Sequence, residues 1–192
     1  MTLATPGVPA PAHRSFLERV IGALRLDAAT FDEIEHDPTS LGQAAGVVVI
    51  ASVAAAIGAA GQQGSSAVGA VLGSLVGWLM STAFIWLVGV FWMKHTSDFK
   101  ELLRTLGFAS APQILFALAG IPGLGVLVVI AGWAWGLAAW VVAARQALDV
   151  TTGRAVLVCF LAVLVNGACI LGLGLLLAGL LGGGRGPGAV GF

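Results

Sequence analysis

Charged side chains are scarce in this chain, and they are missing from its long apolar stretches. Only nine lysines and arginines and nine aspartates and glutamates occur among 192 residues, so 9% of the sequence is charged. Soluble domains carry about 25% charged residues, and this composition therefore does not provide the surface of a soluble protein. The formal net charge is zero, which leaves no general basic field for holding nucleic acid.

Side chains that carry chemistry are equally rare in the apolar stretches. No aspartate or glutamate lies in them, and the three histidines, His13, His36 and His95, lie outside. Proton-coupled transport commonly needs intramembrane acids or histidines, haem needs an axial ligand, and metal sites need clustered His, Cys, Asp or Glu. Cys159 and Cys169 lie on one apolar run, about 15 Å apart as a helix and beyond disulfide reach. The sequence therefore predicts a non-enzymatic protein without a cofactor or metal.

Five apolar stretches approach the roughly 20 residues that a helix needs to cross a bilayer. They are residues 41–60, 67–93, 105–120, 124–144 and 155–181. The uncharged run from 105 to 144 is too long for one crossing, and Pro122 with Gly123 divides it. Its first part is short and contains Pro112, so we expect a tilted or kinked third helix. The predicted fold class is all-α: a polytopic membrane helix bundle with five transmembrane helices.

The cationic residues fall on one side of such a bundle. They precede the first stretch or lie between the second and third or the fourth and fifth: Arg14, Arg19, Arg25, Lys94, Lys100, Arg104, Arg145 and Arg154. The loops at 61–66 and 120–125 are uncharged, and Arg185 is the one cation on the opposite side. Because Lys and Arg favour the cytoplasmic ends of spans, we expect a cytoplasmic amino terminus and a carboxyl terminus outside or in a lumen. A re-entrant third stretch would make the span count even and break this pattern.

The segments outside the spans have distinct compositions. Residues 1–12 are rich in proline and glycine and residues 183–192 in glycine, so we expect a disordered start and a flexible tail. Residues 13–38 place apolar side chains at helical spacing among charged ones. This pattern predicts short amphipathic, juxtamembrane helices on the cytoplasmic side, the first of them suited to the membrane interface. Residues 39–182 then form the five-span domain.

Local signals mark where two of these helices begin. Asp27 precedes a short run of helical periodicity and is the expected N-cap of the second amphipathic helix. Ser40 and Gln43 have the spacing of a capping box, which predicts that the Ser40 side chain caps the first span.

Small and amide side chains inside the spans indicate how the helices meet. Small residues recur every four positions in the second span: Gly69, Gly73, Gly77 and Ser81. Such a stripe lets two helices approach closely, and its partner is a helix of this chain or of another protomer. Gln113 and Asn166 lie within the third and fifth spans. We favour interhelical hydrogen bonds for them, with Gln113 serving a backbone group freed by Pro112; lining a solute path is the alternative.

One group of charges lies beside the spans on the predicted cytoplasmic face. It consists of Glu101, Arg104, Arg145, Asp149 and Arg154. Arg145 and Asp149 are four apart and would meet on a helix that extends past the membrane. Arg154 opposes the dipole at the start of the fifth span, so we expect it to pair with Asp149 or Glu101, or with lipid phosphate. We favour a structural salt-bridge cluster over headgroup contact, and both over a catalytic site.

Three strings in these regions resemble bacterial members of the Yip (Ypt-interacting protein) family. They are LRTLGFASAP at 103–112, WVVAARQALD at 140–149 and TGRA at 152–155, within a resemblance that spans residues 16–180. It implies an integral membrane protein with five spans, a cytoplasmic amino terminus and no catalytic residue set. Eukaryotic relatives take part in vesicle traffic and partner small prenylated GTPases and other family members.

Three features favour a non-enzymatic membrane scaffold or adaptor of the Yip type, in membrane organisation or trafficking. They are the lack of catalytic and metal-binding side chains in the spans, the small-residue stripe and the resemblance. The expected partners are the lipid bilayer and other membrane proteins or a second copy, with no nucleic acid. The expected location is the plasma membrane if the source is prokaryotic. A passive small-solute transporter, channel or transporter subunit is one alternative, and a membrane enzyme that acts on lipid headgroups is another.

Overall fold

The computed structural model describes residues 14–60, 66–92 and 98–182, which are helical with short connections and contain no strand. Seven α-helices follow one another: α1 Phe16–Leu24, α2 Ala28–His36, α3 Ser40–Gly58, α4 Ala67–Leu87, α5 Phe99–Phe108, α6 Gly125–Ala147 and α7 Thr152–Gly182. A π-helical turn, Val88–Trp92, extends α4, and a 3₁₀ helix, Ala111–Leu118, follows α5. The predicted disordered residues 1–12, the tail 183–192 and most of the loop 61–66 lie outside the described residues.

Four helices in the described ranges are long and apolar enough to cross a membrane. They are Ser40–Gly58, Ala67–Val90, Gly125–Ala147 and Thr152–Leu173. At 1.5 Å per residue, even the shortest is about 28 Å long, close to the thickness of a bilayer's hydrocarbon core. Large apolar side chains on these helices face outward, among them Val126 at 74% and Ile170 at 68% exposure. Such surfaces are stable in lipid rather than in water, so the chain is an integral, multi-pass membrane protein.

The third predicted span is not one continuous helix. α5 ends at Phe108, a turn follows at Ala109 and Ser110, and the 3₁₀ helix begins at Ala111. Proline cannot donate a backbone hydrogen bond, and its ring collides with the carbonyl four residues earlier in an α-helix. Pro112 therefore ends α5 near Phe108, and the expected kink is a complete break.

The residues after this break run alongside α3 in the same direction. Gly107 packs against Ala44, where a Cβ on the glycine would lie 2.7 Å from the alanine Cβ. At the other end, a Cβ on Gly120 would lie 3.0 Å from the carbonyl oxygen of Gly58. Ala44 and Gly58 are about 21 Å apart along the axis of α3. Residues 107–120 therefore cover most of a bilayer's apolar thickness without forming a span-length helix.

Glycines allow this segment to fit between α3 and α6. A Cβ on Gly58 would collide with the carbonyl of Phe116, and a Cβ on Gly132 would collide with the Phe116 ring. Gly136 of α6 faces the side chain of Gln113. The pairs 132 with 116 and 136 with 113 make α6 antiparallel to the 3₁₀ segment.

Two short helices, α2 and α5, are part of the packed core. Phe31 and Ile34 of α2 are fully buried, as are Leu102 and Leu106 of α5. They pack in the same core as the small α6 side chains, which include Ala143. Because alanines leave room for a neighbouring backbone, α2 and α5 approach α6 closely here.

The helix starts agree with the sequence in one case and differ in another. The Asp27 carboxylate accepts the backbone N–H of Ala29 and caps α2, as predicted. The predicted capping box of Ser40 and Gln43 is wrong: Thr39 holds the N-cap position and makes no side-chain cap hydrogen bond. The Ser40 hydroxyl instead donates to the carbonyls of Ile34 and Asp37. These two hydrogen bonds close the turn between α2 and α3.

Candidate functional site at the amino-terminal junction

Most of the charged groups in the described ranges meet at one end of the bundle. We call this place the amino-terminal junction: α1, α2, the first turn of α3, α5, and the last turns of α6. Every ion pair found in residues 14–60, 66–92 and 98–182 lies between residues 14 and 37. The junction is therefore the candidate site, and its charges are described from the inside outward.

Arg19 is the most deeply placed charge of the junction. Its side chain is 2% exposed, although it lies on a helix whose apolar residues Leu17 and Ile21 are exposed. The guanidinium Nη2 lies 3.0 Å from Glu33 and 2.6 Å from Asp37, and Nη1 donates to the Gln43 amide oxygen at 3.1 Å. One side chain thus joins α1, α2, the turn before α3 and α3 itself.

The acidic partners of Arg19 have other contacts as well. Hydrogen bonds from the Thr39 hydroxyl and backbone N–H, and then from Arg19, lower the pKa of Asp37 to about 2. Glu33 also accepts the backbone N–H of Arg14 at 3.0 Å, and the Arg14 guanidinium donates to the Thr30 hydroxyl at 2.6 Å. Because each charge is paired and hydrogen-bonded, the network avoids the large penalty of an isolated buried charge.

The sequence did not single out Arg19 as a site residue. It was expected only as one of the charged residues around the apolar positions of an amphipathic helix, together with Arg14 and Arg25. Of these three arginines, only Arg25 is exposed. The available signal was the acidic face of the next helix, with Glu33 four residues before Asp37.

Arg104 and Glu101, both predicted cluster residues, lie on α5 in different surroundings. Arg104 is 6% exposed, its Nη2 donates to the backbone carbonyl of Glu35, and its Nε has no hydrogen-bond partner in the described part of the chain. The Glu101 carboxylate accepts the N–H of Asp98 at 3.0 Å and completes a capping box. The structure thus brings both residues to the junction, where Glu101 faces α2.

Arg145, Asp149 and Arg154 do not form the expected salt bridges. α6 ends at Ala147, and Asp149 follows in the left-handed conformation with φ of 48°. It is therefore off the helix on which it would have met Arg145, whose Nη2 donates to Gln146 at 3.3 Å instead. Arg154 is exposed at the start of α7, and no ion pair in the described ranges includes it.

Acidic groups from three elements converge on Glu35. Burial raises its pKa to about 7, with further increases from the carboxylates of Glu101, Asp149 and Asp32 and an opposing effect from His36. Since Arg104 binds the Glu35 backbone rather than its carboxylate, no cation pairs directly with this acid in the described chain. Glu35 therefore takes up a proton near neutral pH, which sequence inspection had not indicated.

Asp32, Glu35 and His36 come nearest to a metal-ligand arrangement. Their candidate ligand atoms lie within 4.8 Å of one another on α2. Two of the three residues are exposed, and His36 Nδ1 donates to the Asp32 carbonyl at 2.8 Å. That hydrogen bond, followed by the nearby carboxylates, raises the pKa of His36. Helical i, i+3, i+4 spacing accounts for this grouping, and we assign no metal to it.

The amides predicted within the membrane have different roles. The Asn166 side chain donates to the Ser81 hydroxyl at 2.5 Å and to the Gly77 carbonyl at 3.3 Å, so it joins α7 to α4. Gln113 is half-buried beside Gly136. The Gln113 side chain makes no hydrogen bond within the described residues.

The two halves of the predicted small-residue stripe have different surroundings. Ser81 and Gly77 face Asn166, whereas Gly73 has open space around it and Gly69 meets only its own N-cap residue Ser66. One half of the stripe therefore packs inside this chain, and the other half meets no other helix among the residues that the structure describes.

Comparison with known proteins identifies one family. The family model described as the Yip1 domain matches residues 21–174, which includes α2 to α6 and much of α7. No curated protein and no solved structure matches the chain. The match covers well over half of the sequence and includes all four span-length helices together with α2 and α5 of the junction, whereas Arg14 and Arg19 precede it.

Proposed function

Because the chain belongs to the Yip1 domain family, we propose that it is a non-enzymatic membrane scaffold or adaptor involved in membrane organisation or trafficking. One observation carries the proposal: the junction is a polar platform that ion pairs and hydrogen bonds connect to the first span. Arg19 holds α1, α2 and α3 together, and α2 presents exposed Asp32 and His36 on its outer side. A rigid charged platform at one end of a membrane bundle suits recognition of another protein.

Photo-crosslinking in intact membranes tests this proposal. A photoreactive amino acid replaces Asp32 on the platform or, as the matched control, Leu127, which is 64% exposed on α6. We expect discrete protein adducts from position 32 and lipid adducts from position 127. Adducts to lipid alone at both positions would contradict a scaffold that works through this platform.

The proposal includes five membrane crossings, with α1 and α2 as amphipathic helices on the cytoplasmic side. Residues 107–120 supply the crossing that the four long helices lack, the third in chain order, because they follow α3 for about 21 Å in its direction. α6 then returns antiparallel beside them. With this count the cationic residues before α3, after α4 and after α6 share one side, as positive-inside orientation requires.

Single-cysteine labelling with a membrane-impermeant maleimide tests the crossing. In a background with Cys159→Ala and Cys169→Ala, the variants are Ser66→Cys after the first crossing, Leu124→Cys after the third and Thr151→Cys after the fourth. We expect positions 66 and 124 to react in intact cells, and position 151 to react only after permeabilisation. If position 151 reacts in intact cells and position 124 reacts only after permeabilisation, residues 107–120 re-enter instead of crossing.

A passive solute path is the second candidate function. Its support is Gln113, which is half-buried in a non-α-helical segment and lacks a side-chain hydrogen bond in the described chain. Proteoliposomes that release small solutes at a rate lowered by Gln113→Leu would favour it. Enzymatic action on lipid headgroups has less support, since Arg104 is buried against Glu35 while Arg154 is exposed.

A further inference from the structure

The first helix buries one charged side chain and exposes large apolar ones, although Val20 and Ala23 are buried as well. Its charged Arg19 is 2% exposed, while Leu17 is 64% exposed and Ile21 37%. An amphipathic helix on a water-soluble protein turns its apolar stripe inward and its charges outward. The arrangement in α1 suits an apolar medium outside and a polar network inside.

The carboxyl end of α1 lies against the middle of a membrane helix. The indole N–H of Trp135 donates to the carbonyl of Leu24 at 2.9 Å. Trp135 is about 15 Å from the Gly125 end of α6 and about 18 Å from the Ala147 end. Leu24 therefore lies at bilayer depth beside α6 and not beyond the end of the bundle.

The amino end of α1 lies beside the carboxyl end of α5. The Phe16 ring is 6.2 Å from the ring of Phe108. Phe108 follows Gly107, which packs against Ala44 in the second turn of α3. The amino end of α1 is thus near the start of α3 and its carboxyl end is beside the middle of α6, so α1 lies within the depth of the membrane helices.

The carbonyls of the last turn of α1 all have partners. Backbone N–H groups of Arg25, Leu26 and Asp27 and the Trp135 indole bond to the carbonyls of Ile21, Ala23, Gly22 and Leu24. Leu26 takes the left-handed conformation with φ of 59°, which closes a helix end in this way. In water, carbonyls at a helix end can accept hydrogen bonds from solvent, whereas lipid acyl chains offer no donor. Complete satisfaction therefore fits a helix end in lipid.

We propose that α1 is embedded in one bilayer leaflet, with Leu17 and Ile21 among the acyl chains. Its exposed face is continuous with the lipid-facing surface of α6 through Trp135, which is 39% exposed. Glu18 and Arg25, both exposed, share one edge of that face, because residues seven apart align on a helix. They reach towards the headgroups. The inference rests on the proposed orientation only in that the leaflet is the cytoplasmic one.

Spin-label accessibility in liposomes tests this placement. Full-length protein carrying Cys159→Ala and Cys169→Ala receives a nitroxide through Leu17→Cys or Ile21→Cys, in phosphatidylcholine–phosphatidylglycerol vesicles. Asp32→Cys on exposed α2 serves as the aqueous reference and Ile50→Cys, on an exposed part of α3, as the lipid reference. These four positions are at least partly exposed, so labelling removes little buried packing.

The expected result is an oxygen-to-nickel collision ratio at positions 17 and 21 that matches position 50 and is several-fold above position 32. A ratio at 17 and 21 equal to that at position 32 would overturn the proposal, because α1 would then lie in water. Exclusion of both collision partners would overturn it as well, because the face would then be covered by protein. Positions 32 and 50 calibrate water and lipid exposure whatever the number of spans. If α1 does not lie in lipid, the crossing and scaffold proposals can therefore still be tested on their own.

Discussion

At the scale of single residues, the junction depends on a buried cation whose partners come from different segments. Arg19 contacts Glu33, Asp37 and Gln43, residues that are far from it in sequence but fixed around it in the fold. Replacing a whole buried ion pair by apolar groups is often neutral, but removing one partner leaves uncompensated charge. Arg19 therefore offers a sharp test of whether the network forms.

Arg19→Met should destabilise the protein by about 3 kcal/mol, because Asp37 and Glu33 lose their shared cation while staying partly buried. Arg14 and Thr39 continue to bind these two acids, which keeps the loss at the lower end for buried pairs. Chemical unfolding in mixed micelles measures the change. Arg25→Met, at an exposed position on the same helix, is the control and should change stability little. Equal effects of both variants would mean that Arg19 is not buried in the network.

Glu35 predicts a pH-dependent stability of the junction. Because its folded-state pKa is raised to about 7, the folded state retains a proton that the unfolded state has released. The stabilising contribution is full under acidic conditions and is lost as the pH rises through 7. Glu35→Gln should therefore raise stability at about pH 8 by on the order of 1–2 kcal/mol after solvent screening, and change it little at about pH 4.

Unfolding of wild type and Glu35→Gln across this range measures the effect. Asp149→Asn removes one of the carboxylates that act on Glu35 and should move the transition to lower pH without abolishing it. A stability difference between wild type and Glu35→Gln that is the same at both ends of the range would refute the assigned titration.

At the scale of elements, apolar periodicity predicts the four span-length helices because burial in lipid requires only a long uncharged run. It does not predict how residues 105–120 are built. A break at Pro112 depends on whether α3 and α6 leave space for a 3₁₀ segment, and that space comes from Gly58 and Gly132. These glycines lie far from Pro112 in sequence, and their role emerges only from packing.

Gly58→Ala should disrupt this arrangement, since its Cβ would meet the backbone carbonyl of Phe116, which has no rotamer with which to move away. We expect a loss of about 1–3 kcal/mol, the usual range for overpacking. Gly73→Ala is the matched control in α4, with nothing within 4 Å of the new Cβ. It should be neutral or stabilise by up to about 1 kcal/mol through helix propensity. Thermal unfolding in lipid nanodiscs distinguishes the two, and similar shifts for both would contradict the described packing.

At the scale of the whole molecule, the sequence predicts membrane class and family well but the junction only in part. Glu101 and Arg104 do lie there, whereas Arg145 and Asp149 fail to pair because α6 ends before Asp149. Arg19 and Glu35 were missed because their surroundings combine α1, α2, α5 and the loop after α6. Local patterns report which face of a helix is apolar, but they do not report whether water, lipid or another helix covers it.

The choice between a scaffold and a solute path concerns the whole bundle, and Asn166 separates the two. As a link from α7 to Ser81 and Gly77 of α4, its loss in Asn166→Leu should lower stability by about 0.6–1.7 kcal/mol, as for other interhelical hydrogen bonds in membranes. Solute flux in proteoliposomes should then be unchanged. Cys169→Leu, at an exposed position on the same helix, is the control and should alter neither quantity. An Asn166→Leu protein with normal stability but altered flux would instead identify Asn166 as part of a path, because a residue that lines water loses no helix contact when it is replaced.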